Sequence, residues 1–317
     1  MNALRPSSLL SRLLNKAFGL LAVILAVSPA VSQAQSTWYL NATQGTGRHW
    51  NEVTFWSDGP TGGANPSAMS LADTYDSNAR TLRTEAGNTA SFQGGTLLLN
   101  SSLSLKAVTT TISGKLVTLS SGASIVNNGA DAISQVLTLS INHLTVGGET
   151  RVASITSQGR SLAFNVTTLD GDGDLYFGKT STSTTVDSAF TFRATSATNY
   201  TGDIHVFGTN RANNSFSFSQ NLISGGGLFL EANTVMSLGS SRSLTFASVS
   251  IGGSELLPRE AAYTFAELNG AYDLFFANGG NGTILVTGIP EPSTYAAIFG
   301  GLVGALVVVR RRRKQAA

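Results

Sequence analysis

The fold class predicted by this sequence is an all-β solenoid, a right-handed parallel β-helix with a signal helix at its N-terminus and a transmembrane helix at its C-terminus. Three observations predict it. Short apolar alternations recur along the middle of the chain, as in Leu97/Leu99, Leu103/Leu105, Leu137/Leu139/Ile141, Leu162/Phe164/Val166 and Phe216/Phe218. Period-two alternation bounded by Gly, Asn, Ser and Asp is the mark of strands with one buried face. Strand pairs begin at Leu97, Leu116 and Leu137, a spacing near 20 residues that suits coils burying their apolar face on their neighbours. No convincing helical period longer than about ten residues interrupts the series. An antiparallel sandwich or barrel also has short, evenly spaced strands and stands as the competing architecture.

Composition narrows the possible chemistry. The 317 residues include 34 glycines and no cysteine, so disulfides, thiolate chemistry and Cys-bound metals are excluded. Charged residues make up only 12%, and their distribution matters more than the net +2. Arg5, Arg12 and Lys16 lie near the start, and Arg310, Arg311, Arg312, Arg313 and Lys314 near the end. Between Gln35 and Gly288, twelve basic residues face seventeen acidic ones, a net −5. A phosphate-binding surface needs clustered cations, so nucleic acid is not an expected partner.

The ends read as addresses. Residues 1–34 show a basic region, the eleven-residue apolar run Ala17 to Val27, and the small-residue site Ser32-Gln33-Ala34. This is the layout of a secretory signal peptide, with cleavage expected between Ala34 and Gln35. Eleven apolar residues fall well short of the roughly 20 that a spanning helix needs. Residues 35–91, rich in Trp38, Tyr39, Trp50, Phe55, Trp56 and Tyr75, are expected to cap the solenoid; a sugar-stacking platform is their functional alternative. The body is expected over residues 92–288, closing with a strand and a short turn between Ser254 and Val286.

At the C-terminus, Pro290-Glu291-Pro292-Ser293 leads into an apolar stretch to Val309 and then the basic cluster Arg310 to Lys314. As a helix, Ser293 to Val309 is about 25 Å long, the short end of the spanning range, and the arginines can snorkel to the headgroups. The basic cluster is expected on the cytoplasmic side as a stop signal. Residues 289–317 resemble a PEP-CTERM sorting signal, with all three parts in order. The resemblance implies processing by a membrane-embedded exosortase and an association with exopolysaccharide and biofilm. The same span contains Gly300-Gly301-Leu302-Val303-Gly304, a helix-packing pattern common in membrane segments.

A second resemblance lies in the body. Leu169-Asp170-Gly171-Asp172-Gly173-Asp174-Leu175, then Phe190-Thr191-Phe192, then Asn199-Tyr200-Thr201-Gly202-Asp203-Ile204 is similar to an autotransporter-associated β-strand repeat. One copy is present, between Leu169 and Gly208, and it implies a passenger-like β-helix domain.

Candidate chemistry is sparse. Asp170, Asp172 and Asp174 alternate as in a calcium loop, but Leu175 and Ser181 stand where an EF-hand has Gly and Glu, so a solvated turn is expected and no metal or cofactor. His49, His143 and His205 have no second ligand at helical spacing. Asp187, Asp203, Arg193 and Arg211 are the residues that an enzyme of the polysaccharide lyase or glycosidase type would line up on one face. The expectation is therefore an exported, non-enzymatic surface or matrix protein with no catalytic residues. The alternative is a carbohydrate-binding protein or polysaccharide-degrading enzyme on the same scaffold.

Overall fold

A computed structural model describes residues 35–44, 48–120, 122–128, 136–154, 161–179, 187–209, 214–239, 241–277 and 279–288. The expected signal peptide and sorting tail, with Ala34, Pro290 to Ser293 and Arg310 to Lys314, lie outside the described residues. Among the described residues, no helix is long and apolar enough to cross a membrane. From Ser36 onward the described chain is all-β, a solenoid of about six turns with one short α-helix.

The strands form an 11-stranded, a 9-stranded and a 4-stranded sheet. Among the described residues every strand pairing is parallel except three, all near the ends of the stack. These join Thr37–Leu40 to Trp56–Ser57, Ser248–Ile251 to Ser254–Glu255, and Tyr263–Thr264 to Thr283–Val286. An antiparallel sandwich therefore does not describe the molecule. Parallel stacking begins already at Thr37–Leu40, which pairs with Thr74–Asp76, and continues through Thr74–Asp76 and Leu82–Arg83, inside the stretch expected as the cap.

Each middle coil has three sides because its first strand is long and bends. The half of Ala107–Thr118 that ends at Ile112 pairs with Gly87–Phe92, and the half that begins at Lys115 pairs with Thr96–Leu99. Leu137–Val146, Leu162–Gly171 and Ser188–Tyr200 repeat this plan, with register slips between Ile141 and His143 and between Thr168 and Asp170. Later coils divide the work again. Asn214–Phe218 follows the first half of Ser188–Tyr200, whereas Leu222–Ile223 packs on the second half and opens the 4-stranded sheet. The third side is the 9-stranded sheet, which runs in register from Ile125 through Val152, Phe177, Val206 and Leu230 to Ile251.

The alternating residues point as expected: Leu97, Leu116, Leu137 and Leu162 are all buried. Fully burying a side chain of this size contributes about 1.5–3 kcal/mol, and stacking supplies the partner surface that one coil lacks. From residue 164 onward the core turns aromatic. Phe177 sits 5.1 Å from Phe216 and 5.3 Å from Phe192, ring centre to ring centre. The coil length departs from expectation. Leu97 does stack on Leu116, 19 residues on, but Leu116 stacks on Leu144 rather than Leu137. Leu137 begins the preceding side of the same coil, so the near-20 interval to it is not a coil period.

Both ends are covered. Trp50, Trp56, Tyr75 and Phe92 form a buried cluster at the N-terminal end, with Trp56 Nε1 donating to the Trp50 carbonyl at 2.8 Å. Burial of these ring faces removes the sugar-stacking alternative for them. At the other end the expected closing strand is joined by a seven-residue helix, Phe265–Ala271. Thr264 and Glu267 form a capping box, and Arg259 donates to Glu267 at 2.8 Å. Glu267 is held down to about 2, chiefly by the Arg259 hydrogen bond and then by those from Thr264.

Candidate functional site

Two corners of the coils concentrate the polar side chains. The first is the turn that leads into the 9-stranded sheet. Tyr200 ends its strand buried, and its hydroxyl lies 3.0 Å from the carbonyls of both Gly173 and Asp203, to either of which it donates. Burial first, and then the nearby Asp174 and Asp203, push this phenol well above its ordinary value. Gly202 permits the fit: a Cβ there would stand 2.0 Å from the Gly173 carbonyl oxygen. Asp174 Oδ1 accepts from the Asp203 amide at 2.8 Å, and Asp203 Oδ1 accepts from the Gly227 amide at 2.6 Å. Each carboxylate thus caps the coil above it.

This arrangement explains the run from Asp170 to Asp174 without a calcium loop. Asp170 turns to His143, 2.7 Å from its Nε2, while Asp174 turns to the next coil. Ligand atoms of Asp174, Asp203 and His205 instead approach within 4.8 Å of one another. His205 is held between Tyr176 and Phe229, with ring centres 4.4 and 4.6 Å away and planes nearly parallel. Its Nδ1 lies 3.5 Å from Glu231. The Tyr176 hydroxyl is pushed up to about 12, mainly by desolvation and then by its hydrogen bond with Glu149. Along the register Tyr176, His205, Phe229 the faces between neighbouring rings are turned to one another. Sugar rings stack on aromatic faces, and these inner faces are taken.

The second corner is the bend of the long strands on the opposite part of the coil. Here a groove of about 450 Å³ crosses four successive coils. One row of its lining is Thr111, Ser140, Asn165 and Arg193, in strict register. A second row, just past the bend, is Ser113, Asn142, Thr167 and Thr195. Between the rows Ile112, Ile141, Val166 and Ala194 turn into the core and are buried. The lining contains no carboxylate and no histidine, and Arg193 is its single cation.

The residues an enzyme would need on one face are separated. Arg193 lies in the groove on the 11-stranded sheet, Asp203 caps the turn into the 9-stranded sheet, and Asp187 precedes Ser188–Tyr200. Arg211 lies outside the described residues, and of the expected signal-cleavage pair only Gln35 is described, exposed. His49 sits between Glu52 and Glu85 near the N-terminal end. Sequence reasoning missed the groove, although its signal is present. Consecutive residues without an apolar side chain break the alternation, three at Ser113-Gly114-Lys115 and two each at Asn142-His143, Thr167-Thr168 and Thr195-Ser196. No family model, no curated protein and no solved structure is significantly similar to this chain.

Proposed function

We propose that the chain is an exported, non-enzymatic structural protein of the cell surface or extracellular matrix, built on a right-handed β-helix. Its signal peptide is removed between Ala34 and Gln35. An exosortase then acts near Pro290-Glu291-Pro292-Ser293, while Arg310 to Lys314 hold the tail on the cytoplasmic side. The observation that carries the structural role is the use made of the reactive side chains. Asp174 and Asp203 hold backbone amides of neighbouring coils, and His143 and His205 face carboxylates. Glycoside hydrolysis needs two carboxyl groups flanking one bond, and the groove lining offers none.

The test is the intact mass of the secreted species from cells with and without a functional exosortase. The expected mass starts at Gln35 and lacks the tail only when the exosortase is active. An identical, tail-bearing mass in both strains would leave a plain membrane anchor as the better account of residues 289–317. Depolymerase activity abolished by changing one or two acidic residues would refute the non-enzymatic reading.

A further inference from the structure

We propose that the groove at the bend of the long strands is a binding site for an extended acidic polysaccharide, with Arg193 taking a carboxylate of the glycan. The first argument is shape. The groove runs across the strands, and its rows repeat once per coil, at the roughly 4.8 Å interval of neighbouring strands. A ligand touching all four coils spans roughly 14 Å, three such intervals. It must therefore be extended and repetitive.

The second argument is chemistry. Hydroxyl and amide side chains donate and accept, as the hydroxyls of a sugar do. Thr111, Ser140 and Asn165 supply one such row, and the row past the bend supplies another. Arg193 is exposed and forms no ion pair among the described residues. A planar guanidinium free of a partner is suited to bidentate capture of a carboxylate. The lining holds no carboxylate that would stand directly against an anionic chain.

Other ligands fit poorly. A peptide adding as a strand needs an open sheet edge, whereas Leu137–Val146 and Leu162–Gly171 are paired on both sides. An amphipathic helix needs an apolar trough, and the apolar residues here face the core. Nucleic acid needs several cations, and the lining has one.

This inference deepens the matrix reading by giving it a glycan class, and it is tested separately from sorting. The mature secreted protein is titrated calorimetrically with an alginate hexamer, a polyuronate, and with neutral cellohexaose. The alginate hexamer is expected to bind and cellohexaose to bind more weakly. Arg193→Gln should lower alginate affinity about tenfold or more, the scale of one charge-assisted contact. Asn165→Ala should lower affinity for both glycans, and Ser140→Trp should block both by filling the groove. Arg151→Gln, on the outer face of the 9-stranded sheet, should leave affinity unchanged. Circular dichroism and melting temperature check that each variant is folded.

Absence of alginate binding overturns the proposal. So does binding unchanged by both Arg193→Gln and Asn165→Ala, or lowered equally by Arg151→Gln, which would mark a diffuse charge effect. Equal binding of cellohexaose and alginate, insensitive to Arg193→Gln, overturns the acidic assignment. Tail processing is measured on the same samples, so a failed sorting reading leaves a distinct trace in the mass while binding is unaffected.

Discussion

The two polar corners of the middle coils are built from different polar residues and use them in opposite ways. At the turn into the 9-stranded sheet, Tyr200, Asp174 and Asp203 are committed to backbone groups, largely of neighbouring coils, and Gly202 lets carbonyl and chain approach closely. At the bend of the long strands, the Thr, Ser and Asn side chains stand over a core row that is already full, and they leave a groove. What separates the corners is backbone supply. A tight turn leaves amides and carbonyls outside the sheet ladder, and buried polar groups must find partners. At the bend, the ladder continues on both sides with a slip of register, so few backbone groups are orphaned and side chains stay available.

The contrast can be tested, starting from the core that both corners share. Leu162→Asp places an unpaired charge between Leu137 and Phe190 and is expected to cost about 4 kcal/mol or more. Urea denaturation measures it; a loss below about 1 kcal/mol would mean the row is not a packed interior.

Next comes the tight turn. Tyr200→Phe leaves buried carbonyls short of a donor and is expected to cost about 1–2 kcal/mol. Asp203→Ala should cost about 1 kcal/mol, whereas Asp203→Asn keeps an acceptor for the Gly227 amide and should cost less. If Asn and Ala prove equally costly, charge rather than the cap is what the site requires.

Glu267 at the C-terminal end carries a pH prediction. Its folded value lies below the ordinary carboxylate value of 4.5, so its ionised form stabilises the fold above that value. That contribution is lost as pH falls toward about 2. The Glu267 amide shift followed by NMR should titrate with a midpoint near about 2, and Arg259→Gln should raise that midpoint. A wild-type midpoint at the ordinary value would show that the Arg259 and capping contacts are absent in solution.

The smallest effect belongs to the groove. Ser140→Ala and Asn165→Ala are expected to change stability by about 0.5 kcal/mol or less, because their side chains serve no buried backbone group. A cost like that of Tyr200→Phe would erase the distinction between the corners.

Much of the β-structure was legible because alternation is a local property. Successive side chains on an extended backbone point to opposite faces, so Leu97, Leu116, Leu137 and Leu162 declare their inward direction without reference to any neighbour. The aromatic side chains of residues 35–91 were legible only in part: Trp50, Trp56 and Tyr75 are buried, whereas Trp38, Tyr39 and Phe55 stay half-buried. The coil period was not. Connecting segments of different length cost little extra loop entropy, so the chain gains a second long side between Leu116 and Leu144 without losing alternation.

By itself, then, the sequence determined which residues turn inward, that the strands are numerous, and where charge is absent. It did not show that the middle coils each open on one long strand of 10–13 residues. Only the tertiary structure decided which coil meets which. That choice divides Asp170 from Asp174, brings Asp174 to Asp203 and His205, and lines up Thr111, Ser140, Asn165 and Arg193 in one row. The physical reason is that stacking register is a long-range property. It is set by the summed packing of every inward side chain, and no local pattern of the chain records it.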